Sequence, residues 1–336
     1  MKIKKLFMIL LAIIICIGMA ACSKSSGNNN STAANSKSNS KEIVIKYPNT
    51  QWYDLVYIAD ANGYFKEQGI KINYVGEVPA AQIVPSVASG SIDFGLRHTP
   101  LVAMAKAQGS DLKIVAAGTQ TLADYPHMRY IVKKNSGINT LKDIAGKKVA
   151  INSFGACSEF VTREFLRQQN LDPNNVHFVV LPDSQQEQAV DNGLIDIAIV
   201  HAPYTQKALN NPDLKELTND YALQQGISGM CPYFTNGDFA KKNPQAVKGF
   251  VAAVGKAADW SKTHEKEGKE IISKKLGIKV DDVEAWNYYP HQVIQKDAVD
   301  WWINYLEKNG KLKPGQVKAD DLYTNEFNSY SNSSKQ

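Results

Sequence analysis

The sequence predicts an α/β protein: two doubly wound α/β lobes joined by a two-crossing hinge, with a helical C-terminal extension. Three observations carry this prediction. Residues 89–100 lie over residues 192–203 without a gap, and Gly90/Gly193, Ile92/Ile195, Asp93/Asp196, His98/His201 and Pro100/Pro203 coincide. Strand-like and helix-like patterns alternate through both halves. Two stretches, residues 118–133 and 228–235, stand where the chain would pass from one half to the other and back. In each copy of the repeat a Gly turn precedes a short apolar run without polar alternation, which suits a strand buried on both faces of a parallel sheet. The run ends on His and Pro, so each His is expected where a strand leaves the sheet and faces a cleft.

In the first lobe, residues 42–47 are expected as a strand, 53–66 as one helix (Leu55, Ile58 and Ala59 at helical spacing), and 70–75 as a strand. Helix 80–88, strand 92–96, helix 101–107 and strand 113–117 complete it, an alternation that implies a parallel sheet with helices on both faces. In the second lobe, residues 130–133 read as a crossing strand, 139–143 as a short capped helix, 148–152 as a strand and 158–169 as a helix. Strand 176–180, helix 185–191, strand 195–200, helix 202–209 and strand 214–217 follow. From residue 238 to about 323 the pattern is mostly helical, with 245–260 the clearest amphipathic piece. The boundaries are then 42–128 for the first part of lobe I, 129–226 for lobe II, 227–330 for the second part of lobe I, and 331–336 for a tail.

The beginning of the chain reads as targeting. Lys2, Lys4 and Lys5 precede an apolar run, residues 6–17, that is short for a membrane span, and Gly18, Met19, Ala20 and Ala21 lead to Cys22. This order resembles a bacterial lipoprotein signal peptide, residues 1–21, cleaved before an acylated Cys22. Residues 22–41, rich in Ser, Asn, Lys and Ala, form a flexible tether. The protein is thus expected on the extracytoplasmic face of the cell membrane, lipid-anchored. Removing the three leader lysines and no acids lowers the formal charge from +5 to +2, and no basic block remains, so nucleic acid is not an expected partner. Only Cys157 and Cys231 then remain, too few for a disulfide framework.

Four stretches in order, residues 59–69, 90–95, 141–150 and 238–244, resemble ABC-transporter substrate-binding proteins of the nitrate/sulfonate/taurine type. The resemblance covers nearly all the mature chain. It implies a periplasmic-binding-protein type II fold that closes as a monomer on a small, anionic organic solute and delivers it to an ABC permease and its ATPase. Neither an enzyme nor a cofactor is expected.

Several cleft contacts can be placed. Gln51, Trp52 and Tyr53 follow the first strand and could wall a solute. Arg97, His98 and Thr99 follow the repeat strand, where a guanidinium could take a sulfonate, nitrate or carboxylate bidentately. Asn152, Ser153 and Cys157 lie on a strand-to-helix loop whose N–H groups suit an anion, or form an ordinary helix cap. His201, Pro203 and Tyr204 match the position where many relatives carry Trp, an acid and Pro; His201 replaces the aromatic residue and Ala202 the acid, which leaves the ligand open. His98, His201, Cys157 and Cys231 can also be grouped as soft metal ligands, but no Cys-x-x-Cys spacing supports it and the expected metal is none. Two other classes share the fold: a sensor that docks a receptor, and the pyrimidine-precursor synthases of thiamine biosynthesis, which use histidine and a cysteine-dense motif with iron. The chain has the single Cys157 near the corresponding loop. A solute that is a thiamine-pyrimidine precursor or a metal complex is the remaining alternative.

Overall fold

The computed structural model describes residues 42–224 and 229–331. The expected signal peptide, the acylated Cys22 and the tether lie outside the described residues, as does residue 228 of the second expected crossing. No helix among the described residues is long and apolar enough to cross a membrane.

The first lobe is built on β1 (Ile43–Asn49), β2 (Ile70–Glu77), β3 (Phe94–Leu96) and β4 (Leu112–Ala116). The second is built on β5 (Met128–Lys133), β6 (Lys148–Ile151), β7 (His177–Val180), β8 (Ile197–His201) and β9 (Leu214–Asn219), and β10 (Tyr233–Asn236) returns to the first. The second sheet has the order β7-β6-β8-β5-β9. In the first lobe β1 pairs with β2, and β10 lies between β3 and β4. The repeated aspartate explains how these two pieces continue one another. Asp93 N–H donates to Lys46 O at 2.9 Å and Lys46 N–H to Asp93 Oδ2 at 2.7 Å, which stitches β3 to β1. Asp196 does the same to Lys148, at 2.9 and 2.7 Å, between β8 and β6. The coinciding residues of the repeat are therefore partly sheet architecture, and both lobes follow one strand order.

Three expectations need correction. The sheets are mixed rather than parallel: β5 is antiparallel to β8 and β9, and β10 to β3 and β4. Each is the strand by which the chain enters from the other lobe, so it runs against neighbours whose carboxyl ends face that lobe. Consequently residues 130–133 do not bridge the lobes but lie inside the second sheet. The helix expected over 53–66 is two helices, Leu55–Ala61 and Tyr64–Glu67, because Gly63 at φ 74° occupies the left-handed region that breaks the first.

The crossings touch backbone to backbone. Gly118 has φ 75°, and a Cβ there would stand 1.7 Å from Cys231 O, so only glycine fits. A third segment, unforeseen from sequence, buttresses them: Gln120 N–H donates to Asn287 O at 2.9 Å and Tyr289 N–H to Gly118 O at 3.2 Å. The C-terminal region is helical as expected, with Pro244–Ser261, Glu265–Leu276 and Lys296–Lys308. Phe250 of the first stacks on Phe94 of β3 at 3.9 Å, and fully buried Trp302 of the third meets His98 in a T-shaped contact at 4.5 Å. These contacts fix the backs of the strands whose front ends carry the site.

Candidate functional site

The carboxyl ends of β1, β3, β6 and β8 converge on a single enclosed space, as the rule for open α/β sheets leads one to expect. Its lining includes Trp52, Arg97, His98, Asn152, Cys157 and His201, together with Cys231 from the second crossing. The space measures about 10 Å³, room for about one water, so the cleft is closed.

Trp52 is held by the residue two places on. Asp54, fully buried, caps the helix Leu55–Ala61 through Val56 N–H and accepts from the hydroxyls of Tyr47, Thr50 and Tyr233 at 2.7–2.8 Å. Burial raises the Asp54 pKa against the effect of those donors. The loop that carries Trp52 is thereby rigid. Trp52 reaches across the cleft, and its indole N–H donates to Asp183 Oδ2 at 3.3 Å.

Asp183 organises the second lobe's half. Its carboxylate also accepts from Asn152 Nδ2 at 3.1 Å, from His201 N–H at 3.1 Å and from His201 Nδ1 at 2.8 Å. Burial pushes its pKa up, but His201 and the hydrogen bonds outweigh burial and hold it below the usual carboxylate range. A carboxylate can only accept, so His201 Nδ1 carries the proton, and Nε2 faces Cys157 Sγ at 3.5 Å. A buried acid, Asp183, thus stands beside His201 although Ala202 is not acidic, and it comes from the start of the helix Asp183–Asp191.

Arg97 lies opposite. Its guanidinium is 4% exposed, donates from Nη2 to Ser153 Oγ at 2.5 Å and sits 5.3 Å from the Trp52 ring centre. Nε has no partner, and no carboxylate stands within ion-pair distance among the described residues. Burial lowers its pKa, partly offset by Cys231, Cys157 and Asp183.

Other expected residues fall elsewhere. Gln51 accepts from Ser184 Oγ at 3.2 Å, beside the cleft. Tyr53 lines a separate hollow of about 110 Å³ with Tyr125 and Glu265. Thr99 donates to Met230 O, and Tyr204 is buried in the second lobe's own core cluster. Ser153 enters as Arg97's partner and also donates from Oγ to Asn152 Oδ1 at 3.4 Å. In the loop after β6, Gly155 N–H is already donated to Glu159 Oε2 at 2.8 Å, so the helix's own acid takes part of the anion site expected there. Cys157 and Cys231 are free thiols.

Sequence reasoning missed His127, Trp286 and Asp183. His127 precedes β5, stacks on Trp286 at 4.7 Å and 17°, and approaches Cys231 Sγ with Nε2 at 3.4 Å. Burial first, then His201, His98 and Arg97, lower its pKa well below the usual histidine value. Trp286 Nε1–H donates to His127 O at 3.0 Å. No periodic pattern marks these residues.

Two α/β lobes closed over a cleft at their strand ends are the type II periplasmic-binding-protein fold. The chain belongs to the NMT1/THI5-like family, whose model matches residues 53–268. Among curated proteins it is similar to the 4-amino-5-hydroxymethyl-2-methylpyrimidine phosphate synthase THI13 of Saccharomyces cerevisiae, 26% identical over 259 residues, which cover 73% of this chain and 69% of the relative. Among solved structures it is similar to the periplasmic aliphatic sulphonate binding protein SsuA of Escherichia coli, with TM-score 0.64, 21% identity, and 84% of this chain and 91% of that one covered. The periplasmic nitrate-binding protein NrtA of Synechocystis PCC 6803 gives TM-score 0.70 at 15% identity, over 89% and 90% of the two chains. The expectation that the chain is no enzyme is corrected here, because the curated relatives that match it are named as synthases.

Proposed function

We propose that the protein is the extracytoplasmic solute-binding component of an ABC importer, capturing a small anionic organic solute between its lobes and delivering it to a membrane permease and its ATPase. One observation carries the anionic character: Arg97 is a buried guanidinium which, among the described residues, has an unpartnered Nε and no carboxylate to neutralise it. Such a cation is costly alone and becomes favourable when an anion joins it. The names of similar proteins share that feature, since sulphonate, nitrate and a pyrimidine phosphate are all anions. Trp52 and Trp286 supply flat apolar walls for the rest of the solute. Because the closed space is about 10 Å³, the lobes must part to admit a solute and settle around it.

In this reading the protein works as a monomer held to the membrane through acylated Cys22. Trp52 and Trp286 report on the cleft. Their fluorescence should change saturably with one or more of nitrate, short alkanesulfonates and the phosphorylated hydroxymethylpyrimidine. If none of these anions perturbs it, the reading fails. A second reading, a synthase of that pyrimidine, is favoured by the relatives' names; release of the pyrimidine phosphate by purified protein separates it from binding alone.

A further inference from the structure

We infer that His127, Cys157 and His201 form a binding site for a divalent transition-metal ion of the zinc class, with two imidazole nitrogens and one thiolate as ligands and a fourth position open. One ligand atom from each of the three lies within 4.8 Å of the others, and all three side chains are buried. A tetrahedral ion bonded at about 2.0–2.3 Å to each would set such atoms roughly 3.3–3.8 Å apart, a small contraction from what stands. The residues come from separate segments: the loop before β5, the start of the helix Cys157–Gln168, and the end of β8. No local sequence spacing brings them together, so the fold does.

Two further features point to an ion. Asp183 Oδ1 accepts from His201 Nδ1 at 2.8 Å, the carboxylate–histidine pairing that turns the opposite nitrogen outward as a lone pair. That nitrogen, Nε2, points at Cys157 Sγ, 3.5 Å away. His127 Nδ1 has no partner among the described residues although its side chain is 1% exposed. A polar atom so placed is unfavourable without an acceptor or an ion.

Binding at such a site depends on pH, because the Cys157 thiol must give up its proton to become a ligand. On binding, the metal–sulfur bond forms as the S–H bond breaks, and the proton leaves to the buffer. No oxidant or reductant is required. The ion and thiolate together add one positive charge near Arg97, which an anion at the open position offsets. The ion itself does not depend on that solute, so this inference stands apart from the solute reading.

The test titrates the reduced, chelator-stripped full chain with Co²⁺ alone. The expected result is one ion per chain, with thiolate-to-cobalt charge-transfer absorption and the strong visible bands of a four-coordinate site, all displaced by Zn²⁺. Cys157→Ser should abolish the charge-transfer band while circular dichroism stays native. Cys231→Ser should keep the band, and Asp183→Asn, which leaves all three ligands in place, should weaken Co²⁺ binding about ten- to a hundredfold. Absence of the band in the wild type, or its survival in Cys157→Ser, overturns the inference. Loss of the band in Cys231→Ser with native dichroism overturns the ligand set.

Discussion

Replacing Arg97 by Met separates a cation kept for a ligand from one kept for the fold. The substitution removes a charged hydrogen bond to Ser153 at 2.5 Å, worth about 1.5–3 kcal/mol, and a cation–π contact with Trp52 at 5.3 Å, worth about 0.5–2 kcal/mol. It also removes the cost of holding a guanidinium in a site only 4% exposed, which is several kcal/mol. These contributions oppose one another. The solute-free variant should therefore lie within about 2 kcal/mol of wild type, and Met keeps the apolar stem that fills the space. Anion affinity has no such compensation. Losing the charged donor should cost about 1.5–3 kcal/mol, or roughly ten- to a hundredfold in Kd. Denaturant melts without solute, paired with binding isotherms for whichever anion perturbs the cleft tryptophans, read both quantities. A variant that unfolds several kcal/mol more easily yet binds the anion as wild type would show Arg97 to be structural, and the reasoning would be refuted.

Two other outcomes follow from the geometry. Asp93→Ala should destabilise the fold by about 1–3 kcal/mol by orphaning Lys46 N–H, and Asp196→Ala by less because Asp196 is only half-buried; urea melts giving the reverse order would undo the account of the repeat. Stability should fall in acid below about pH 6.5, by up to about 1.4 kcal/mol per pH unit from His127. The sign follows from its lowered pKa: the unfolded chain takes up a proton that the buried ring refuses, and above that range both states are neutral. His127→Gln should flatten that slope in melts taken between about pH 7 and pH 5.5.

Much of the fold was legible because it is written in short-range patterns. Apolar runs bounded by glycines marked most strands within a residue or two, and the aligned repeat revealed two lobes of one design. Strand direction was not legible. β5 and β10 are as apolar as their parallel neighbours, and nothing in Tyr130 or Tyr233 says which way the chain enters the sheet. The site was half legible for a related reason. Arg97, His98, Asn152 and His201 directly follow or end strands, so strand ends located them. Asp183, His127 and Trp286 reach the same place from a helix start, a crossing and the C-terminal region, and only the packed lobes show that they meet. The metal-ligand grouping shows the same limit: the repeat suggested His98, whereas His127 is the imidazole that joins Cys157 and His201.

The central claim is that the cleft takes an anion at Arg97. Titration calorimetry on wild-type protein with a matched pair, an anion and its neutral counterpart of equal size such as an alkanesulfonate and the alkanesulfonamide, tests it most directly. The account predicts saturable binding of the anion with the neutral partner weaker by at least about tenfold. Equal affinity for the two would contradict it.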